Sequence, residues 1–211
     1  MSDFVKFELF DGVATLTMDS PGTRNALSSE EQYGAIEEAC RRVSRDRSIR
    51  AVILTGNGKA FCAGGNIKDM LARSEDADHG PIDDRYAYKE GIHRIPLAVY
   101  SLEVPTIAAV NGAAIGAGLD LACMCDIRIA SEEATFAESF VKLGIIPGDG
   151  GAWLLQRVVG LSKACEMTFT GATLKSAEAL ACGLVSKVVT APRLLPEATD
   201  LARQIAAIRN A

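Results

Sequence analysis

A repeated stretch rich in alanine and glycine carries the first residues with chemical potential. Residues 52–67 (VILTGNGKAFCAGGNI) align with residues 106–121 (TIAAVNGAAIGAGLDL) at a constant offset of 54 residues (106 minus 52). Each copy predicts a strand, an Asn-Gly turn, a loop of small residues and the first turn of a helix. Such a turn leaves N–H groups unpaired and open to close approach by a ligand. Side by side, the two turns would aim the amides of Ala63 and Ala117 at one oxygen.

One carboxylate belongs to this repeat. Asp120 in the second copy occupies the position of Asn66 in the first, and of the two only Asp120 can act as a base. Two main-chain amides aimed at one oxygen form an oxyanion hole, in which removing one donor typically costs ~2.7–4 kcal/mol of transition-state stabilisation. The repeat therefore predicts polarisation of a carbonyl beside an acid/base at Asp120. The alternative is a pair of ordinary βα units whose small residues permit close helix packing.

The segments before the repeat predict the elements that position it. Residues 4–18 alternate apolar and polar side chains around Asp11-Gly12, which predicts a β-hairpin. A helix is predicted to begin at Ser28 or Ser29, with acids in its first turn and arginines in its last. Residues 51–56 are a short apolar run, which predicts a strand that is covered on both faces.

The segment between the two copies is more polar. Residues 74–85 are acidic and contain Gly80-Pro81, which predicts a mobile surface segment. A helix is predicted to follow over residues 86–102, and it has to accommodate Pro96.

Composition narrows the class of function. The length of 211 residues fits one domain. The net charge of −5 and the pI near 5.2 argue against general binding of nucleic acid. Six cysteines form no C-x-x-C pair and are not spaced with the two histidines, so we expect reduced thiols in a cytoplasmic compartment and no metal site. No targeting peptide and no apolar run of ~20 residues is present, so no membrane association is expected.

Five longer motifs resemble those of one family, the crotonase superfamily of enoyl-CoA hydratases and isomerases. They occur in the same order as in that family and span nearly the whole chain: SPGTRNAL (20–27), GKAFCAGGNIKDM (58–70), PTIAAVNGAAIGAGLDLACMCDIRIAS (105–131), FAESFVKLGIIPGDGG (136–151) and ALACGLVSKVV (179–189).

The resemblance implies an α/β fold, a crotonase-like spiral of repeated ββα units. The spiral core would occupy residues 1–190, and residues 191–211 would begin a C-terminal helical region that is shortened, because family members continue with further helices. It also implies an acyl-CoA thioester as substrate, no cofactor other than the coenzyme A of the substrate, and assembly as a homotrimer or a dimer of trimers.

The resemblance also assigns roles to single residues. It places the oxyanion donors at Ala63 and Ala117, the pair that the internal repeat selects. The pantetheine and adenine portions of coenzyme A would run along residues 24–26, 60–63 and 66–67. The residues expected to contact the substrate are Arg24, Ala26, Ala60, Cys62, Gly64, Asn66, Ile67, Gly116, Phe140 and Gly148.

The acid/base residues depart from the family pattern. Asp120 stands at the position of the first glutamate of the hydratases, whereas Phe140 stands at the position of the second and cannot transfer a proton. Glu138 lies two residues earlier. Asp149 lies in the following Gly-rich turn, close to where some members place an acting carboxylate, and its alternative role is that of a turn or cap residue.

These observations predict an enzyme that stabilises a thioester enolate and uses Asp120 as acid/base. The main prediction is hydration of 2-enoyl-CoA to 3-hydroxyacyl-CoA. Phe140 keeps double-bond isomerisation as a competitor, and a catalytically silent acyl-CoA-binding homologue is a third alternative.

Overall fold

The structure is a computed structural model that describes residues 3–75 and 80–208. Its described strands form a six-stranded sheet in the order β1-β2-β3-β5-β7-β10 and a four-stranded sheet in the order β4-β6-β8-β9. The strands are β1 Val5–Phe10, β2 Val13–Met18, β3 Ala51–Gly56, β4 Ala60–Cys62, β5 Thr106–Val110, β6 Ala113–Ile115, β7 Ile127–Ser131, β8 Thr135–Ala137, β9 Thr173–Lys175 and β10 Lys187–Val189.

The helices lie mostly between consecutive strands, as in repeated ββα units. They are α1 Glu30–Arg45, α2 Ile67–Ser74, α3 Pro81–Glu90, α4 Arg94–Tyr100, α5 Ala117–Met124, α6 Gly151–Val159, α7 Leu161–Thr170, α8 Ser176–Ala181 and α9 Leu194–Ala207. None of the helices in the described ranges is both long enough and apolar enough to cross a lipid bilayer.

The first two predicted elements are confirmed. β1 and β2 pair antiparallel, and the turn between them places Asp11 at φ 49° and Gly12 at φ 75°, the left-handed pair that a tight hairpin requires. Helix α1 follows Ser29, whose amide donates to Oε1 of Gln32 at 2.8 Å. This bond satisfies an N–H near the start of the helix.

The internal repeat has a direct structural counterpart. β3 and β5 pair in parallel with Val52 opposite Thr106, so the strands of the two copies lie side by side at the same offset of 54 that the sequence shows. The hydroxyl of Thr55 donates to the carbonyl of Ala109 at 2.8 Å and ties the copies together. The loops and helices that follow each strand are therefore brought to one edge of the sheet.

Both faces of the six-stranded sheet are covered, as predicted for residues 51–56. One face packs against the main core, to which α1 contributes Ile36, Cys40 and Val43. On the other face, α9 packs Ala198 and Ala202 against a second cluster that includes the strands. The division of the chain at residue 190 stays a prediction.

The prediction of one helix over residues 86–102 is wrong in its extent. The chain forms α3 and α4 instead, because Gly91 takes φ −105° and ψ −108°, which no helix can continue through. Helix α3 begins earlier than predicted, with Pro81 at its first position, so residues 81–85 are helical rather than a mobile segment. Pro96 lies in the first turn of α4, where its missing N–H costs nothing. Residues 76–79 lie outside the described residues.

Candidate active site

The N-terminus of α5 presents an open amide. Gly116 precedes the helix at φ 52° and ψ −121°, donates its own N–H to the carbonyl of Ala137 at 2.8 Å and accepts the amide of Asp120 at 3.0 Å. The next amide, that of Ala117, has no acceptor among the described residues. It is one of the unpaired donors at the positive end of the helix and can bind a developing negative charge.

The turn that begins at Ala63 differs from the prediction. The amide of Ala63 donates to the carbonyl of Arg24 at 3.0 Å, so in this structure it is not free to bind a ligand oxygen. The next amide, that of Gly64, lies 3.5 Å from the sulfur of Cys62. The amide of Gly65 has no acceptor among the described residues, which makes it the open donor of this turn.

A change of strand register explains this correction. β3 and β5 pair at an offset of 54, but β4 and β6 are shifted: Ala60 faces Ala113, and Cys62 faces Ala114. The irregularity between Ala60 and Cys62 therefore reduces the offset to 52 (114 minus 62). Beyond this bulge Gly64 lies beside the start of α5, because a Cβ at Gly64 would be 3.4 Å from the amide nitrogen of Ala117. The repeat is constant in sequence, but a bulge changes which residues lie side by side.

Two asparagines hold these turns and were not singled out as site residues from the sequence. The side-chain amide of Asn25 is buried and donates to the carbonyls of Ala60 at 2.9 Å and Phe61 at 3.2 Å. Asn111 donates to the carbonyl of Gly58 at 3.0 Å and accepts the amide of Gly56 at 3.2 Å. The motifs RNAL and VNG were the available signals, because an asparagine beside a turn often bonds to backbone.

Two of the segments predicted to contact coenzyme A lie next to each other. The carbonyl of Arg24 bonds to Ala63, and the amide of Leu27 donates to the carbonyl of Gly64 at 2.8 Å, so residues 24–27 lie against the 63–65 turn. Asn66 precedes α2 and accepts the amide of Lys68 at 3.1 Å.

The side chains of these residues differ in accessibility. Arg24 and Ile67 are exposed, and Ala26 is half-buried. Ala60 and Cys62 are buried in β4 and can meet a ligand only through their backbone.

Three buried carboxyl groups converge behind the open amide of Ala117. Asp120 lies in the first turn of α5, Glu138 directly follows β8, and Asp149 lies in the turn before α6. Asp120 and Glu138 are fully buried, and 4% of Asp149 is exposed. Both oxygens of Asp120 and of Glu138, and Oδ1 of Asp149, have no hydrogen-bond donor among the described residues. Unpaired buried charge is costly, so these groups favour the protonated state.

The pKa values of all three acids are raised, in each case chiefly by burial. The pKa of Asp120 lies well above its ordinary value, and the charges of Glu138 and Asp149 raise it further. Burial raises the pKa of Glu138 to about 7, the charge of Asp149 raises it further, and the neighbouring Asp120 carboxyl opposes the shift. The pKa of Asp149 rises to about 6, against the opposing effect of His93. A group with a pKa near neutrality is suited to proton transfer.

Gly151 lets Asp120 fit into this cluster. A Cβ atom at Gly151 would lie 2.0 Å from Oδ1 of Asp120, a distance that no side chain can accept. We therefore expect Gly151→Ala to displace the carboxylate, lower turnover on an acyl-CoA substrate about 100-fold and destabilise the fold by roughly 1–3 kcal/mol. Gly22→Ala is the control, because nothing lies within 4 Å of its Cβ position. Equal turnover of the two variants would contradict this role of Gly151.

Comparisons with known proteins show the family to which the chain belongs. The sequence profile of the enoyl-CoA hydratase/isomerase family matches residues 8–211. The chain belongs to this family. The resemblance seen in its motifs is thereby confirmed, together with the α/β crotonase fold.

Some relatives in this family are named hydratases and others isomerases. A probable mitochondrial enoyl-CoA hydratase of Dictyostelium discoideum is 41% identical over 194 residues, which are 92% of this chain and 66% of that protein. A 1,2-epoxyphenylacetyl-CoA isomerase of Escherichia coli is 38% identical over 208 residues, 98% of this chain and 77% of that protein. The chain thus spans about two thirds to three quarters of the length of these relatives.

Solved structures of the family superpose well. An enoyl-CoA hydratase of Bacillus anthracis matches with a TM-score of 0.89 at 32% identity, covering 98% of this chain and 78% of that one. The described residues of this chain contain no group of three or more histidine, cysteine or acidic side chains arranged to hold a metal ion.

A cavity of about 770 Å³ opens next to the turn that carries Asp149. Gly148, adjacent to Asp149, and His93 belong to its wall, which ties the cavity to the carboxyl cluster. The rest of the lining is largely apolar and includes Ile67, Leu71, Leu143, Ile145 and Ile146. Phe140 is buried, and its ring lies 3.5 Å from the position of a Cβ at Gly116, so it closes the space beside α5.

The raised pKa of Asp149 predicts a pH dependence of stability. Between the pKa of the unfolded carboxyl, 3.8, and that of the folded one, about 6, the folded state binds a proton that the unfolded state lacks. Stability is therefore lost as the pH rises through that window.

Asp149→Asn removes this penalty. We expect its stability relative to wild type to be about 1 kcal/mol more favourable at pH 8 than at pH 5, as measured by urea unfolding. A constant difference between the two pH values would show that Asp149 ionises as freely in the folded state as in the unfolded chain.

Proposed function

We propose that this protein hydrates 2-enoyl-CoA thioesters to 3-hydroxyacyl-CoA through a stabilised thioester enolate. The observation that carries the proposal is the fully buried, unpaired carboxyl of Asp120, which lies in the same helical turn as the open amide of Ala117. The relatives named enoyl-CoA hydratase, at 41% identity for that of Dictyostelium, support the same reaction.

The second donor of the proposed oxyanion hole is the amide of Gly65. A trans peptide directs its carbonyl and N–H to opposite sides. Because the carbonyl of Gly64 accepts the amide of Leu27, the N–H of Gly65 is directed away from residues 24–27. On the other side of Gly64 lies the start of α5, since a Cβ at Gly64 would be 3.4 Å from the amide nitrogen of Ala117. The amides of Gly65 and Ala117 are the proposed donors to one thioester oxygen.

The chemistry follows from this placement. Hydrogen bonds from two amides withdraw electrons from the thioester carbonyl, which makes the β-carbon open to attack by water and lets the α-carbon carry enolate charge. The oxygen of water bonds to the β-carbon, and a proton is delivered to the α-carbon. Asp120 is the acid/base closest to the Ala117 amide along the chain, and it handles this proton.

Isomerisation of the double bond is the second candidate, and Phe140 favours it. A hydratase needs to take one proton from water and give one to the α-carbon, whereas an isomerase moves a single proton between two carbons. Phe140 supplies no second proton-transfer group at the position where the hydratases carry a glutamate.

Assays with two substrates decide between these reactions. With a 2-enoyl-CoA, hydration removes the ultraviolet absorbance of the conjugated thioester. With a 3-enoyl-CoA, isomerisation creates that absorbance. Turnover of the first substrate supports the proposal, turnover of only the second supports isomerase, and binding of acyl-CoA without either reaction identifies a silent acyl-CoA-binding protein.

The remaining features of the proposal concern the setting of the reaction. Coenzyme A enters only as part of the substrate, along residues 24–26, 60–63 and 66–67. Assembly as a homotrimer or dimer of trimers and a cytoplasmic location are part of the proposal; the six cysteines are all free thiols, which fits a reducing compartment.

A further inference from the structure

Glu138 is a buried acid to which neither the family pattern nor the proposed reaction gives a role. It is fully buried, and neither of its oxygens meets a hydrogen-bond donor among the described residues. It directly follows β8, which pairs with β6 so that Ala137 lies opposite Ile115 and accepts the amide of Gly116 at 2.8 Å. Glu138 therefore lies beside the first turn of α5.

The surroundings of Glu138 offer no cation to balance its charge. The charged neighbours that act on it within the described residues are Asp120 of α5 and Asp149 of the turn before α6, both of them acids. Cys123 of α5 is a further titratable neighbour, and burial raises the pKa of its thiol so far that it stays neutral. Arg128 of β7 acts on Cys123 but is not among the groups that act on Glu138. His93 acts on Asp149. Since an unpaired buried carboxylate is very costly, the remaining source of compensation is a proton.

We propose that Asp120 and Glu138 share one proton and act as a single acid–base pair, in which Glu138 is a positioning residue that sets the protonation and orientation of Asp120. One proton between the two carboxyl groups gives each of them the hydrogen-bond partner that it otherwise lacks. The inference rests on the proposed function, because it supplies the second proton site that Phe140 cannot.

The pair balances the protons of hydration. The α-carbon takes the proton of Asp120 as its new C–H bond forms, and the oxygen of water bonds to the β-carbon. The proton released by that water passes to the pair, which returns to the state with one proton and one negative charge. No oxidant, reductant or further reactant is needed.

The pair also defines the working pH range. Two coupled carboxyl groups lose their protons in two steps that belong to the pair. One step lies at about 7, the value to which burial raises the pKa of Glu138, and burial also raises the pKa of Asp120 well above its ordinary value. The form with one proton therefore predominates above neutral pH. We expect kcat/KM to increase as the pH rises through about 7, and this increase is the limb of the pH profile that the variants test.

Glu138→Gln tests the pair through the pH profile of kcat/KM. Gln keeps the shape of the side chain, donates a hydrogen bond to Asp120 and removes the neighbouring charge. We expect the limb near pH 7 to move at least one pH unit toward acid, whereas Glu138→Asp, which keeps the carboxyl, retains a limb near its wild-type position. Glu133→Gln is the matched control, because Glu133 is exposed five residues earlier in the chain. A lower kcat with an unmoved limb would overturn the inference.

A second readout does not depend on turnover. Carboxyl carbon NMR of the free wild-type protein should show Asp120 and Glu138 both responding at both titration steps, and Glu138→Gln should lower the titration of Asp120 by at least one pH unit. Independent single steps in the wild type would overturn the pair even if no variant folds. A wild type without turnover of any enoyl-CoA would instead overturn the proposed function, and the titration would still test the pair.

Discussion

Asp120→Asn is expected to lower turnover at least ~100-fold and to leave the affinity for coenzyme A close to that of the wild type. Asn has nearly the shape of Asp, so it fits the space that Gly151 leaves open. It cannot carry the transferred proton. Because Asp120 is buried behind the open amide of Ala117 and is distant in sequence from residues 24–26, the substitution removes an interaction of the transition state and not one of cofactor binding.

Steady-state kinetics measure the turnover, and calorimetric titration with coenzyme A measures the affinity. Asp200→Asn is the control, because Asp200 is exposed on α9 and the same chemical change there touches no part of the site. A kcat of Asp120→Asn within a few-fold of the wild type would exclude Asp120 as the acid/base. An equal loss of coenzyme A affinity would show that the substitution damages the fold of the site.

Much of the fold follows from local patterns in the sequence. The hairpin around Asp11-Gly12 depends on left-handed φ values that this dipeptide favours, and α1 depends on a capping pattern at Ser29 and a periodic apolar face. The pairing of β3 with β5 follows from the internal repeat, because two copies of one supersecondary unit stack in the same register.

The errors have equally local causes. The helix predicted over residues 86–102 was interrupted at Gly91, where a Cβ would lie 2.6 Å from the carbonyl of Ala87, and apolar periodicity alone did not reveal this break. The offset between the two copies changes at a bulge between the short strands β4 and β6, and the amide of Ala63 bonds to the carbonyl of Arg24. Bulges change side-by-side pairing without changing the sequence alignment, so the repeat could not reveal it.

The carboxyl cluster shows the limit of sequence patterns most clearly. Asp120 was predicted as acid/base from its place in the repeat and the family motif, and the structure buries it as such a role requires. Glu138 was seen in the sequence only as an acid close to Phe140. Its relation to Asp120 depends on the pairing of β6 with β8, which brings together residues 18 positions apart (138 minus 120). The burial of Glu138 and the acidic character of its charged neighbours depend on the folded structure, so the spacing of residues in the sequence could not predict them.

Ala117→Pro is expected to lower kcat by about 100- to 1,000-fold, the cost of losing one oxyanion-hole donor. Proline removes the amide hydrogen of residue 117 and adds no polar group. Ala117 is the first residue of α5, the helical position at which proline is best accepted, and Gly116 before it has no Cβ to clash with the ring. The substitution therefore removes one hydrogen-bond donor while the helix is retained.

The proposed role of this amide can be separated from a structural one by a matched pair of ligands. The wild type should bind an acyl-CoA thioester analogue more tightly than the thioether in which the carbonyl is replaced by a methylene, because only the former has an oxygen to accept the amide of Ala117. Ala117→Pro should discriminate between them much less than the wild type, because only the amide of Gly65 then remains as a donor. Ala117→Gly, which keeps the N–H, should discriminate as the wild type does. If Ala117→Pro retained both the discrimination and the turnover of the wild type, the carbonyl would have to be polarised elsewhere, and a thioester enolate held at the start of α5 would no longer explain the reaction.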